Sequence, residues 1–183
     1  APNAVTALAL CTGLSGAWFA MQGRWENAVA AIVIAGVLDA MDGRIARMLK
    51  GESRFGAELD SLSDVIAFGA TPALIMYMWV MQDMPRFGWT ISVFFVLCAA
   101  LRLARFNAQI DTENQPDKSA GFNTGVPSPS GAAMALLPMM IWFETGADWV
   151  RDYRFLAPWL LLCALLMISN VATYSWSSIK VRR

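Results

Sequence analysis

Residues Leu38–Gly69 read "LDAMDGRIARMLKGESRFGAELDSLSDVIAFG", and they place four aspartates and several arginines between two strongly apolar stretches. Asp39 and Asp42 are spaced i, i+3, with Ala46 at i+7, so on a helix all three share one face. Asp60 and Asp64 are spaced i, i+4 and share a face of a second helix. The intervening "MLKGESRFGAEL" can reverse the chain, with Gly51 and Gly56 as turn points, so that two antiparallel helices aim four carboxylates at one another. Two unit charges about 5 Å apart repel by roughly 3 kcal/mol at an effective dielectric near 20, so such a cluster calls for a counter-ion. Oxygen-only donors suit a hard cation, Mg²⁺ or Mn²⁺.

The rest of the chain explains why the stretch decides the fold. Of 183 residues, 57% are hydrophobic and 15% charged, and the mean hydropathy is +0.46, far more apolar than a typical soluble domain. Six apolar runs stand out, near Val5–Met21, Ala28–Met48, Leu62–Val80, Trp89–Phe106, Pro127–Phe143 and Phe155–Tyr174. Hydrocarbon cannot satisfy open backbone groups, so the expected fold is all-α, an integral membrane bundle of six transmembrane helices forming one domain over residues 1–183. The loops after the first, third and fifth runs hold Arg24, Arg86, Arg151 and Arg154. The regions after the second, fourth and sixth hold Arg44, Arg47, Lys50, Arg54, Arg102, Arg105, Lys118, Lys180, Arg182 and Arg183. That bias places the aspartates and the N-terminus on the cytoplasmic side. Trp25, Trp89, Trp149 and Trp159 are expected as interface anchors at span ends. Met76, Met78, Phe94, Phe95, Met139 and Met140 are expected to face lipid or pack the bundle. The chain opens without Met or a basic leader and stops on "KVRR", so a trimming of both ends is expected.

Composition also excludes chemistry. There is no histidine, hence no histidine base or ligand, and zero net charge argues against nucleic acid. Cys11, Cys98 and Cys163 lie singly in apolar runs without metal-ligand spacing. "GFNTGVPSPSGAA", Gly121–Ala133, ends the longest polar loop in a turn, and Gly131, Ala132 and Ala133 then give the fifth helix a smooth face. Gly43 and Ala46 leave the helix beside the acids bare, and Arg47 lies one turn from Gly43. Carboxylates, a divalent ion, a bare helix and an arginine together describe a site for a metal-bridged diphosphate.

Read as a pattern, the stretch is D-x-x-D-G-x-x-A-R-x8-G-x3-D-x3-D, through Asp39, Asp42, Gly43, Ala46, Arg47, Gly56, Asp60 and Asp64. It resembles the signature of the CDP-alcohol phosphotransferase family, whose six-helix core covers nearly the whole chain. The resemblance implies that an alcohol hydroxyl attacks the phosphorus of a CDP-linked substrate and releases CMP. It implies Asp39, Asp42 and Asp60 as direct metal ligands, with Asp64 taking the proton of the attacking hydroxyl and completing the metal set. It further implies Gly43, Ala46 and Gly56 beside the nucleotide, Arg47 at the diphosphate, and Thr6, with Asn3 as companion, before the nucleotide site. "LRLARFNAQ", Leu101–Gln109, "GFNTGVPSP", Gly121–Pro129, and "LMISNVATYSWSSIK" near the end resemble the phosphatidylserine-forming branch, with Val126 where Leu is usual.

That branch implies CDP-diacylglycerol and L-serine as substrates, a homodimer, and a multi-pass protein of the cytoplasmic membrane whose active site faces the cytoplasm. Serine brings a carboxylate that Arg102 or Arg105 could meet. Glycerol 3-phosphate, inositol phosphate and choline stay open as acceptors. A divalent-cation transporter is disfavoured because the fourth to sixth runs are nearly free of acids.

Overall fold

The computed structural model describes residues 2–48, 54–110, 122–169 and 172–174. Helix α1 (Pro2–Met21) is apolar on every side, and three residues later the chain turns back as α2 (Trp25–Met48). Gly23 makes this turn with φ +70°, a left-handed backbone natural to glycine, while the Gly23 and Arg24 amides donate to the carbonyls of Ala20 and Phe19 at 2.9 and 3.0 Å. Helices α1 and α2 then pack along their length. Gly16 allows the close approach: a Cβ there would sit 3.1 Å from the Ala28 carbonyl oxygen.

Helix α3 (Arg54–Asp64) runs without a break through a π-helical turn, Val65–Ala70, into α4 (Thr71–Trp79). Asp64 and Thr71, the residues flanking the π turn, keep right-handed helical backbone, so the three pieces form one rod. Ala67, Phe68 and Gly69 of the wide turn are buried. It presses so closely on α1 that a Cβ at Gly13 would lie 2.6 Å from the Ala67 Cβ. Helix α5 (Gly88–Ile110) follows, then α6 (Ser128–Thr145), capped by left-handed Gly146, and α7 (Tyr153–Ile168), whose first turn is closed by the Asp152 carboxylate accepting from the Arg154 amide at 2.8 Å. Strands β1 (Phe122–Thr124) and β2 (Ala172–Tyr174) form a small antiparallel ladder.

Among the described residues, three helices are long and apolar enough to cross a membrane: Asn3–Met21, Phe55–Trp79 and Gly88–Ala108. Tyr153–Ile168 is a shorter apolar helix. The core gathers Phe68, Trp79, Phe95, Leu136, Met139 and Leu160, each at most 2% exposed. Met76 joins them, whereas Met140 faces outward.

Four expectations need correction. Gly56 is no turn point, because α3 has begun at Arg54 and carries it as an interior residue; Gly51 lies outside the described residues. The sixth apolar run stops being helical at Ile168: Ser169 breaks into extended backbone, and Ala172–Tyr174 pairs with β1. Trp159 is not an end anchor. It sits within α7, where its indole N–H donates to the Met134 carbonyl on α6 at 2.9 Å. Finally, the smooth face on α6 is split: Gly131 receives the Met167 side chain and Ala132 is fully buried, but Ala133 is exposed.

Candidate functional site

Helix periodicity does locally what the sequence implies. The long α3–α4 rod presents Asp60 and Asp64 one turn apart, and α2 brings Asp39 against them. One carboxylate oxygen from each of Asp39, Asp60 and Asp64 lies within 4.8 Å of the others. Asp39 and Asp64 lie near enough for their charges to interact. At this spacing each uncompensated pair would cost about 3 kcal/mol at an effective dielectric near 20.

Asp42 is the most deeply buried of the four, at 6% exposure. One of its oxygens accepts a hydrogen bond from the Thr6 hydroxyl on α1. The other, Oδ1, is buried with no partner among the described residues. Asp42 also lies near enough to Asp39 and Asp60 for their charges to interact. The donors are all hard oxygens, three converge on one point, and a fourth carboxylate has an unsatisfied lone-pair face. This set fits a divalent cation of the Mg²⁺ or Mn²⁺ kind, which would satisfy the orphan and offset the repulsion.

Around this centre the other expected residues separate. Gly43 is exposed, and a Cβ there would meet nothing within 4 Å, so the helix surface beside the acids is open. The side chains of Ala46 and Arg47 lie outside the described residues, as does Lys118. Gly56 is half-buried two turns from Asp64 along the same rod, and Asn3 is half-buried one turn before Thr6. The two arginines of α5 part company. Arg105 points to the exposed surface. Arg102 turns inward, close enough to Asp64 for their charges to interact, and its Nη1 donates to the Ser128 hydroxyl at 2.5 Å.

Three polar residues join the site without having been singled out. The Ser61 hydroxyl donates to the Asn107 side-chain oxygen at 3.1 Å, tying α3 to α5. Ser128, wholly buried, receives Arg102. Asn107 and Ser128 lie within the segments "LRLARFNAQ" and "GFNTGVPSP"; a polar side chain where an apolar helix begins or ends was the available signal.

An apolar groove of about 550 Å³ runs between α2 and α6. Val33, Val37 and Met41 line one wall, Ala133 and Met140 the other, and Phe68 of the π turn closes its floor. Ala40 and Met41, which lie between Asp39 and Asp42 in sequence, are among its lining residues.

The profile of the family described as CDP-alcohol phosphatidyltransferase matches residues 1–173. A Mycobacterium tuberculosis protein (strain H37Rv) named CDP-diacylglycerol–serine O-phosphatidyltransferase is 36% identical over 180 residues, 98% of this chain and 63% of its own length. A Helicobacter pylori protein (strain 26695) of the same name is 32% identical over 179 residues, covering 98% of this chain and 73% of that protein. One from Methanocaldococcus jannaschii, also so named, is 33% identical over 145 residues, 79% of this chain and 62% of its own. The chain thus spans under two thirds of the length of the mycobacterial relative.

Proposed function

Since the chain belongs to the CDP-alcohol phosphatidyltransferase family, we propose that it transfers the phosphatidyl group of CDP-diacylglycerol to the hydroxyl of L-serine and releases CMP. The observation that carries this reading is the meeting of three carboxylates from two helices, one of which, α2, also lines an apolar groove. A diphosphate with a lipid tail needs both in one place.

In this reading Asp39, Asp42, Asp60 and Asp64 hold Mg²⁺ or Mn²⁺. What a divalent cation supplies in such a site is compensation of the diphosphate charge and polarisation of its oxygens. Asp64 accepts the proton as the serine oxygen bonds to phosphorus, and the bond from phosphorus to the CMP oxygen breaks. Thr6 steadies Asp42 through its hydroxyl. The bare surface at Gly43 receives the nucleotide, with Ala46, Arg47 and Gly56 contributing as the family pattern implies. Arg102, turned toward Asp64, meets the serine carboxylate. Exposed Arg105 serves the headgroup region instead. The groove between α2 and α6 receives acyl chain.

The same reading takes residues 1–183 as one membrane domain, with α2, α6 and α7 joining the three helices long and apolar enough to cross a membrane as six passes. Its N-terminus and acids face the cytoplasm from the cytoplasmic membrane, and two copies pair as a homodimer. A cation path across the bilayer finds no support: among the described residues, α5 and α7 carry no acid, and α6 has only Glu144 near its end.

The test is CMP release and lipid product from CDP-diacylglycerol with Mn²⁺, offering serine, glycerol 3-phosphate, inositol phosphate and choline separately. Product with serine alone, abolished by chelator, is expected. Product only with another acceptor would overturn the serine assignment and keep the transfer chemistry. No CMP release from any acceptor would overturn the enzyme reading.

A further inference from the structure

Arg102 cannot be aimed by its own helix alone. An arginine has four side-chain torsions, and its five donors act as a rigid fork only when something fixes the guanidinium plane. Among the described residues that role falls to one group. Nη1 donates to the Ser128 hydroxyl at 2.5 Å, while Nε is buried with no partner among the described residues. The fork is therefore held at one nitrogen and has buried donor capacity left over.

Ser128 is itself held firmly. It is fully buried in the first turn of α6, between Pro127 and Pro129, where fixed proline φ angles limit the backbone. The Gly131 amide closes that turn onto the Pro127 carbonyl at 2.8 Å. Just upstream, Gly125 has φ +78° and lies so close to the end of α7 that a Cβ would come within 2.6 Å of the Met167 carbonyl oxygen. The Val126 amide reaches the Leu166 carbonyl at 3.4 Å. The strap Gly125–Ser128 thus transmits the position of α7 to the guanidinium on α5.

We infer that Ser128 is a positioning residue for the acceptor: its hydroxyl fixes the Arg102 fork so that the remaining donors meet a carboxylate-bearing alcohol beside Asp64. This rests on serine being the acceptor. A bidentate arginine–carboxylate pair depends on orientation as well as charge, so loss of the anchor weakens acceptor binding while leaving the lipid substrate untouched.

The experiment measures KM for L-serine and for CDP-diacylglycerol in the full-length protein in lipid nanodiscs, for wild type, Ser128→Ala, Ser128→Thr, Arg102→Lys and the double variant Ser128→Ala/Arg102→Lys. KM does not depend on the fraction of active protein, so partial misfolding does not blur it. Expected are a rise of about tenfold in serine KM for Ser128→Ala, less than twofold for CDP-diacylglycerol, and recovery with Ser128→Thr. The double variant should be no more than twofold worse than Arg102→Lys, because the two changes remove one interaction. A serine KM within twofold of wild type in Ser128→Ala, equal shifts for both substrates, or effects that multiply in the double variant would each overturn the inference while the transfer reaction stands. Wild-type protein that makes no product from serine would overturn the acceptor reading, and the inference with it.

Discussion

The two ends of the helix bundle handle charge in opposite ways. At the end where α1 turns into α2 and α6 leads to α7, cations are dispersed onto rings: the Arg24 guanidinium lies 5.2 Å from the Phe19 ring centre, and that of Arg151 lies 5.4 Å from Trp142. Both arginines are exposed, so water and an aromatic face suffice. At the opposite end, Asp39, Asp60 and Asp64 are forced together and Asp42 is buried with an orphan oxygen. One end is arranged to be stable by itself. The other spends stability on a geometry that an added positive charge would relieve, as expected of a site shaped for a ligand.

The sharpest way to break this contrast is Asp64→Asn, which keeps the side-chain shape and removes the base. CMP release should fall by about 10³-fold, within the usual range for a general base, and the folded yield should not suffer. Activity within tenfold of wild type would return the acid end to mere structure. Next is metal-dependent melting. Mn²⁺ at a hundredfold excess over its dissociation constant should stabilise the wild type by about 2.7 kcal/mol, read as a rise in melting temperature that chelator reverses. Asp39→Asn and Asp60→Asn should lose most of that rise; an undiminished rise in both would place the ion elsewhere.

A third substitution asks whether the acid end depends on the packing beneath it. In Gly13→Val, the new Cβ meets Ala67 in the π turn that follows Asp64. Overpacking of this kind costs about 1–3 kcal/mol and should lower both the melting temperature and the turnover. Turnover that survives intact would mean that the π turn and the acids move independently. The smallest effects belong to the other end. Arg24→Ala and Arg151→Ala should each cost no more than about 1 kcal/mol in stability and leave CMP release unchanged, as exposed cation–ring pairs do.

How far the sequence could be read differs by residue. Asp39, Asp60 and Asp64 were legible because helical spacing is local: once two neighbouring helices are recognised, i, i+4 acids must share a face. Thr6 matched a family position, yet its bond to Asp42 joins two helices and is written in neither. The π turn at Val65–Ala70 was invisible, since one extra residue in a helical turn leaves the apolar run unchanged. Arg102 and Arg105 looked equivalent as cations near a span end. Only packing distinguished them, by placing wholly buried Ser128 beside one and leaving the other exposed.

What the sequence determined by itself was therefore composition and period: an apolar helical chain, an acid cluster at helical spacing, oxygen-only donors and no histidine. These follow from rules that act within a few residues along the chain. Which helices bound the apolar groove, where the last helix yields to a strand, which carboxylate oxygen is left without a partner and which arginine turns inward were decided by the tertiary structure. Each depends on contacts between segments far apart in sequence, whose relative rotation and depth are set by close packing at glycines such as Gly13 and Gly16.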